Sequence, residues 1–360
     1  GAVALFLILG IRGIETTGRL QNGFMFFFWG VAAIWFLTMI PNIELPNFVK
    51  SPEFIAKDKD FTFIGAVCMI WWCFAGFEAC VAMGEEIRFP KINIPRAMFL
   101  APFVVFCVNA LFQWYLIGIT PVEKLASLAT AEAPYAEAMK AAGILGFPLA
   151  LLAAGIAFGG DFSTLNASIS TTPRYLFTMA RDGAMPKIFA KVSRRYQTPY
   201  VAVITLGVLT VALIATNSLL YIAELSLFAD LFYYVLGILA ALGLRKNHPE
   251  LKRSYKAPLI MIGAPISALI YLYMMTELSN EAFYTGVIWC LLGIAIYWCC
   301  SKYYGSGTSF KLDEKESGVD ETPSPEEKRA MDREYHVWWF IVGALSIIAT
   351  LLYLVPYLAR

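Results

Sequence analysis

The chain has 360 residues, 59% of them hydrophobic and 15% charged, with a formal net charge of +1 and a mean hydropathy of +0.63. That composition excludes a soluble globule and indicates a polytopic membrane protein, whose partner is the lipid bilayer and not a nucleic acid. The seven cysteines, Cys68, Cys73, Cys80, Cys107, Cys290, Cys299 and Cys300, all fall in apolar runs. None has metal-site spacing with His248 or His336, so they read as small packing residues, and no metal or cofactor is expected.

In chain order, the first apolar piece, Gly1 to Ile11, is too short to span a bilayer, so the sequence is expected to start inside a cut helix. Nine runs of spanning length follow, at about 21–40, 61–84, 98–119, 145–180, 199–216, 219–244, 258–277, 283–301 and 336–357. Cations set their orientation. One set of loops holds Arg12, Arg19, Arg88, Lys91, Arg96, Arg181, Lys187, Lys191, Arg194, Arg195, Arg245, Lys246, Lys252, Arg253 and Lys256. The opposite set holds only Lys50, Lys57, Lys59, Lys124 and Lys140, so the first set is cytoplasmic. The charged, Pro-containing segment 302–335 then reads as a disordered or loosely helical cytoplasmic linker, and 336–357 as one more transmembrane helix.

The run from Phe61 to Gly84 is the least like a plain anchor. Gly76 lies near its middle, where Gly costs about 1 kcal/mol in a helix. Glu78 follows, and an acid at that depth costs about 2.5–3.5 kcal/mol. A helix broken at Gly76 frees backbone groups that must face protein, water or a polar ligand. The alternative is a Gly-kinked, packed helix with a permanently bonded Glu78.

Phe74-Ala75-Gly76-Phe77-Glu78, Gly84-Glu85-Glu86 and Asn93-Ile94-Pro95-Arg96-Ala97 resemble helix 6 and the next loop of the amino acid–polyamine–organocation transporters. Three more motifs are similar in family order: Gly10-Ile11-Arg12-Gly13-Ile14 with Gly18-Arg19-Leu20-Gln21-Asn22, Thr178 to Gly183 with Pro186, and Leu244-Arg245-Lys246 with Pro249 to Pro258. Two departures stand out. Phe89 replaces the usual Asn before the loop's first Pro, and Phe28 stands where some proton-driven relatives carry a Lys in helix 5. The resemblance implies an all-α membrane protein with the inverted five-plus-five helix repeat of the leucine-transporter type, lacking helices 1–3 and part of 4. Residues 1–40 then hold the end of helix 4 and helix 5, 61–244 the second repeat, helices 6–10, and 258–301 helices 11–12. The last helix, 336–357, lies beyond that plan.

Family likeness places substrate at the break, on Trp72, Cys73, Phe74, Ala75 and Gly76, with Tyr233 or Tyr234 lining the path. Trp71 rivals Trp72. Glu78 and Asp161 are the candidates for proton coupling, and Asp230 for a polar partner. Asp161, Thr164, Ser168, Thr171 and Tyr175 share one helical face, with Ser163, Asn166, Ser170 and Arg174 on an adjoining stripe. Those groups either line a cavity or bond a neighbouring helix, and Gly155-x-x-x-Gly159 favours the second. Asp161 must be paired or protonated and is expected to face the interior. Ser163 and Thr164 are a candidate sodium site. The function implied is a secondary transporter of amino acids, neutral ones favoured, or related amines, in a multi-pass cell-membrane protein. It would be proton-coupled, with an exchanger or sodium symporter as the alternative. No enzyme is expected, since no His lies inside a span beyond His336 at the very start of the last one, and no phosphate-binding GxxxxGK[ST] loop occurs. A non-transporting scaffold or channel is the remaining class.

Overall fold

Lipid supplies no water to backbone N–H and C=O groups, so a chain this apolar must satisfy them within helices or closed barrels. The computed structural model takes the first course: it describes residues 2–12, 14–49, 63–84, 87–128, 131, 133–216, 218–251, 253, 255–304 and 322–358, and among them there is no strand. The principal helices are α1 (Ala2–Arg12), α2 (Ile14–Met39), α3 (Phe63–Trp72), α4 (Pro90–Ile119), α5 (Phe147–Ala154), α6 (Phe162–Arg181), α7 (Tyr200–Ile214), α8 (Leu219–Asn247), α9 (Ile260–Met275), α10 (Asn280–Tyr304) and α11 (Pro325–Leu358). Among the described residues seven stretches are long and apolar enough to cross a membrane. Two of the nine expected spans form shorter helices, α7 with 15 residues and α9 with 16. At about 1.5 Å per residue these need their flanking turns to reach across a core of about 30 Å.

The helices fall into two compact units. The first holds residues 1–60, 98–170 and 323–360. Its core gathers Trp35 and Met39 of α2, Trp114, Tyr115 and Ile119 of α4, Met139 and Leu152. Trp35 stacks on Phe112 at 5.4 Å between ring centroids. A π-helical stretch, Gly155–Asp161, joins α5 to α6 and lies against α2. A Cβ on Gly159 would sit 2.4 Å from Phe28 Cβ, and one on Gly155 2.7 Å from Val31 Cγ1. The Gly-x-x-x-Gly spacing therefore serves a close helix contact, the small-residue packing on which membrane helices depend.

In the same unit α11 runs parallel to α4. Phe99 and Phe103 pack on Trp339, Cys107 Sγ lies 3.2 Å from Ser346 Oγ, and Trp114 Nε1 donates to the Leu352 carbonyl at 3.0 Å. Parallel packing is what the cation-set orientation demands, because both helices then start from the cytoplasmic side. α11 begins at Pro325, upstream of the expected 336, because Ser324 and Glu327 form a reciprocal cap: the Ser324 N–H donates to Glu327 Oε2 and the Glu327 N–H to Ser324 Oγ. The expected linker 302–335 is therefore helical at its far end, and its 305–321 part lies outside the described residues.

The second unit holds residues 61–97 and 171–322. Its core joins Cys68 of α3, Leu227, Phe228 and Leu231 of α8, and Met274 and Met275 of α9. The expected repeat 61–244 thus draws helices from both units. Phe89 has φ 51°, in the left-handed region where Asn is tolerated and a bulky residue is strained. That explains on physical grounds why Asn suits this place, just before a Pro that opens α4.

Candidate functional site

The helix that starts at Phe63 stops at Trp72. Three tight turns follow, with N–H groups of Cys73, Phe74 and Ala75 donating to Ile70, Trp71 and Trp72 carbonyls at 3.0, 2.8 and 3.2 Å. Gly76 then takes φ +101°, which reverses the helical sense, and the chain continues as a 3₁₀ helix over Phe77–Met83. An L side chain resists that φ, so the Gly decides the place of the break. The expected interruption at Gly76 is thus present as turn, left-handed residue and changed helix type.

Glu78 closes the break on itself. Its Oε2 accepts the Gly76 N–H at 3.1 Å and the Tyr234 hydroxyl at 2.7 Å, and its Oε1 accepts the Tyr233 hydroxyl. Three donors satisfy the carboxylate, the condition for keeping an acid at membrane depth. One N–H released by the break is thereby taken by a side chain of the chain itself. Both tyrosines come from the middle of α8. Asp230 precedes them by three and four residues, on the same face, and feels the Glu78 charge. Tyr175 near the end of α6 also lies within electrostatic reach of Glu78. Among the described residues neither Glu78 nor Asp230 has an ion-pair partner.

An aromatic floor supports this cluster. Tyr234 stacks on Phe77 at 6.4 Å and meets Trp71 edge-on at 6.2 Å, and Trp71 and Tyr271 pack at 5.2 Å. Trp71 is therefore the tryptophan that joins the tyrosines, while Trp72 is 41% exposed on another side of the helix. Cys73, Gly76 and Tyr233 are exposed, and Phe74 and Ala75 half-buried. The structure so brings Gly76, Glu78 and Tyr233 together with Tyr234, the other tyrosine that the family likeness sets along the path. The legible signal was the spacing of Asp230, Tyr233 and Tyr234 on one helical face.

The helix 8 candidates are arranged otherwise. Asp161 ends the π-helical stretch and is exposed, not interior, so the expectation that it faces inward is corrected. The π-turn shifts the residues after it around the axis, which periodicity at 3.6 does not foresee. Thr164 and Ser168 are exposed with it. The adjoining stripe is the buried one: Ser163 donates to the Gly159 and Gly160 carbonyls, Asn166 donates to Gln21 Oε1 at 3.0 Å, and Ser170 donates to the Asn166 carbonyl. Ser163 and Thr164 thus lie on different faces, one buried and one exposed.

A chain of spanning helices, one of them interrupted by a satisfied acid at membrane depth, defines a multi-pass membrane protein of the transporter class. A sequence model of the amino acid permease family matches residues 1–298, and the chain belongs to that family. Membership accords with the leucine-transporter-type fold. It is 26% identical to the methylthioribose transporter of Bacillus subtilis over 84% of this chain and 64% of that protein. It is 26% identical to the branched-chain amino acid permease BcaP of Bacillus subtilis, over 66% of this chain and 50% of that one. Identity to the large neutral amino acids transporter small subunit 2 of Mus musculus is 24%, over 79% and 51%. The chain spans half to about two thirds of the length of these relatives, all of which are named as transporters or permeases.

Proposed function

We propose that the protein takes part in secondary active transport of amino acids, neutral ones favoured, by alternating access with proton coupling at Glu78. The observation that carries this reading is the bond set of Glu78 across the break: Gly76 N–H, Tyr233 hydroxyl and Tyr234 hydroxyl on one carboxylate. An ionised Glu78 accepts all three. A proton turns one oxygen into a donor. A tyrosine hydroxyl can reverse its role to meet it, but the Gly76 N–H cannot accept. With its charge gone the carboxyl is a weaker acceptor for the Gly76 N–H, so protonation loosens that bond, and a substrate carboxylate that takes the Gly76 N–H favours the same loosened break. In this reading Cys73, Phe74, Ala75, Gly76 and Tyr233 meet the substrate, and Trp72 borders them.

Neutral substrates are favoured by the names of two relatives, the branched-chain amino acid permease and the large neutral amino acids transporter. Phe28, which packs on Gly159, argues against a helix 5 Lys as the coupling group. Exchange without an ion is the second mode, and sodium at Ser163 and Thr164 is less supported, since the two face apart. The test is uptake of radiolabelled leucine and valine into proteoliposomes, with methylthioribose as competitor. Imposed pH and sodium gradients are applied separately. Accumulation against a gradient driven by pH alone supports the proposal; accumulation only with internal amino acid assigns exchange; and none under any gradient returns the chain to the scaffold class.

A further inference from the structure

The segment between α6 and α7 is ordered and strongly cationic. Between Asp182 and Glu224 the sequence has no acid, yet it carries Lys187, Lys191, Arg194 and Arg195. Lys187 opens a 3₁₀ turn, Lys187–Ala190. Arg194 and Arg195 sit at the tip of a turn closed by the Ser193 N–H on the Thr198 carbonyl and the Gln197 N–H on the Ser193 carbonyl, both at 2.9 Å. All four cations are exposed, and none has an ion-pair partner among the described residues. Other cations nearby are committed: Arg181 pairs with Asp182, and Arg253 donates to the Leu244, His248 and Leu251 carbonyls at the end of α8.

Two further observations turn this run into a surface. The Lys187 ammonium lies 5.0 Å from the Tyr304 ring, which ties the turn to the inner end of α10, where Lys302 lies over Trp298 at 5.3 Å. Exposed apolar side chains alternate with the cations: Ile188 at 49%, Val192 at 39% and Tyr303 at 83%. An apolar group that dips into acyl chains beside a cation that meets headgroups is the pattern of an interfacial anchor. The positive-inside orientation puts this surface at the cytoplasmic leaflet, where the anionic lipids lie.

We propose that Lys187, Lys191, Arg194, Arg195 and Lys302, with Ile188 between them, form a binding surface for an anionic phospholipid of the cytoplasmic leaflet. The phosphate sits among the cations, Ile188 enters the acyl region, and the bound lipid bridges the α6–α7 turn to the end of α10. Charge complementarity carries the choice of occupant, because the cytoplasmic leaflet borders this face in the positive-inside orientation and the cations have no ion-pair partner among the described residues.

The test places the full chain in nanodiscs of phosphatidylcholine with and without phosphatidylglycerol, and reads Tm together with lipid retained in native mass spectrometry. The wild type is expected to gain Tm with phosphatidylglycerol and to retain it on extraction. K187Q/K302Q and R194Q/R195Q are expected to lose that gain while keeping the Tm of the wild type in phosphatidylcholine. K246Q/K256Q removes the same charge elsewhere on the cytoplasmic side and is expected to keep the gain. An equal gain in all variants, an equal loss in K246Q/K256Q, or the same Tm gain from soluble glycerol phosphate overturns the proposal. If R194Q/R195Q fails to insert, K187Q/K302Q decides alone, since it leaves the charge at the turn's tip in place.

Discussion

The Tyr234 hydroxyl donates to Glu78 Oε2 at 2.7 Å, so a tyrosine of α8 holds an acid located two residues beyond the break of another helix. The bond makes the break a shared property of two segments that are 156 positions apart. Whatever changes the charge or position of Glu78 must move Tyr234 or release it.

Glu78→Gln tests this link. Its amide reproduces the protonated acid: the oxygen faces Gly76 N–H and Tyr234, and the NH₂ faces the Tyr233 oxygen. The variant is expected to bind substrate, seen as a substrate-dependent Tm shift, and to lose accumulation driven by a pH gradient. Normal accumulation across pH would make Glu78 a structural tie, and the coupling group would have to be sought at Asp161 or Asp230.

Tyr234→Phe removes one bond to the carboxylate and keeps the ring on Phe77 and Trp71. A hydrogen bond to a charged group contributes about 1.5–3 kcal/mol. The variant is expected to shift the pH midpoint of uptake and to lower Tm by no more than one such bond implies. A large loss of Tm with an unmoved midpoint would assign the bond to stability alone.

Gly76→Ala isolates the backbone. Nothing lies within 4 Å of the added Cβ, so its effect comes from the φ of +101° and not from crowding. The left-handed region costs an L residue about 1–2 kcal/mol. A matching fall in Tm is expected, together with weaker substrate binding. Gly263→Ala, in open space and ordinary helix, serves as the control and is expected to raise Tm slightly and to leave substrate binding unchanged.

Gly159→Leu drives a side chain into Phe28, whereas Gly160→Ala meets open space. Overpacking a tight contact costs about 1–3 kcal/mol, and displacing a ring and its backbone stands at the upper end. The expected result is a clear loss of Tm for the first and none for the second. Equal effects would mean that the α2 contact does not set the stability of the π-helical stretch.

Ser346→Cys places a second thiol where its hydroxyl lies 3.2 Å from Cys107 Sγ. Mild oxidation should then join α4 to α11. With a protease site inserted between 305 and 321, the two pieces are expected to stay linked until reduced. Separation without reductant would show that α11 does not pack on α4 as described.

Composition and spanning length were enough to establish a polytopic helical protein, and the bias of Lys and Arg to set an expected orientation, because the bilayer penalises exposed backbone and charge without regard to partners. The break at Gly76 was legible as one of two readings, since a Gly with an acid two residues on in an apolar run fits either an interrupted helix or a kinked, packed one. Local chemistry also held the start of α11, where Ser324 and Glu327 form a cap that composition alone conceals. What Glu78 bonds to was decided by the tertiary structure, since Tyr233 and Tyr234 reach it only when α8 packs beside α3. The orientation of Asp161 was decided there too. A π-turn between Gly155 and Asp161, seated against Phe28 and Val31, changes the angular phase of every residue that follows, and that phase depends on a neighbouring helix and not on the sequence of its own.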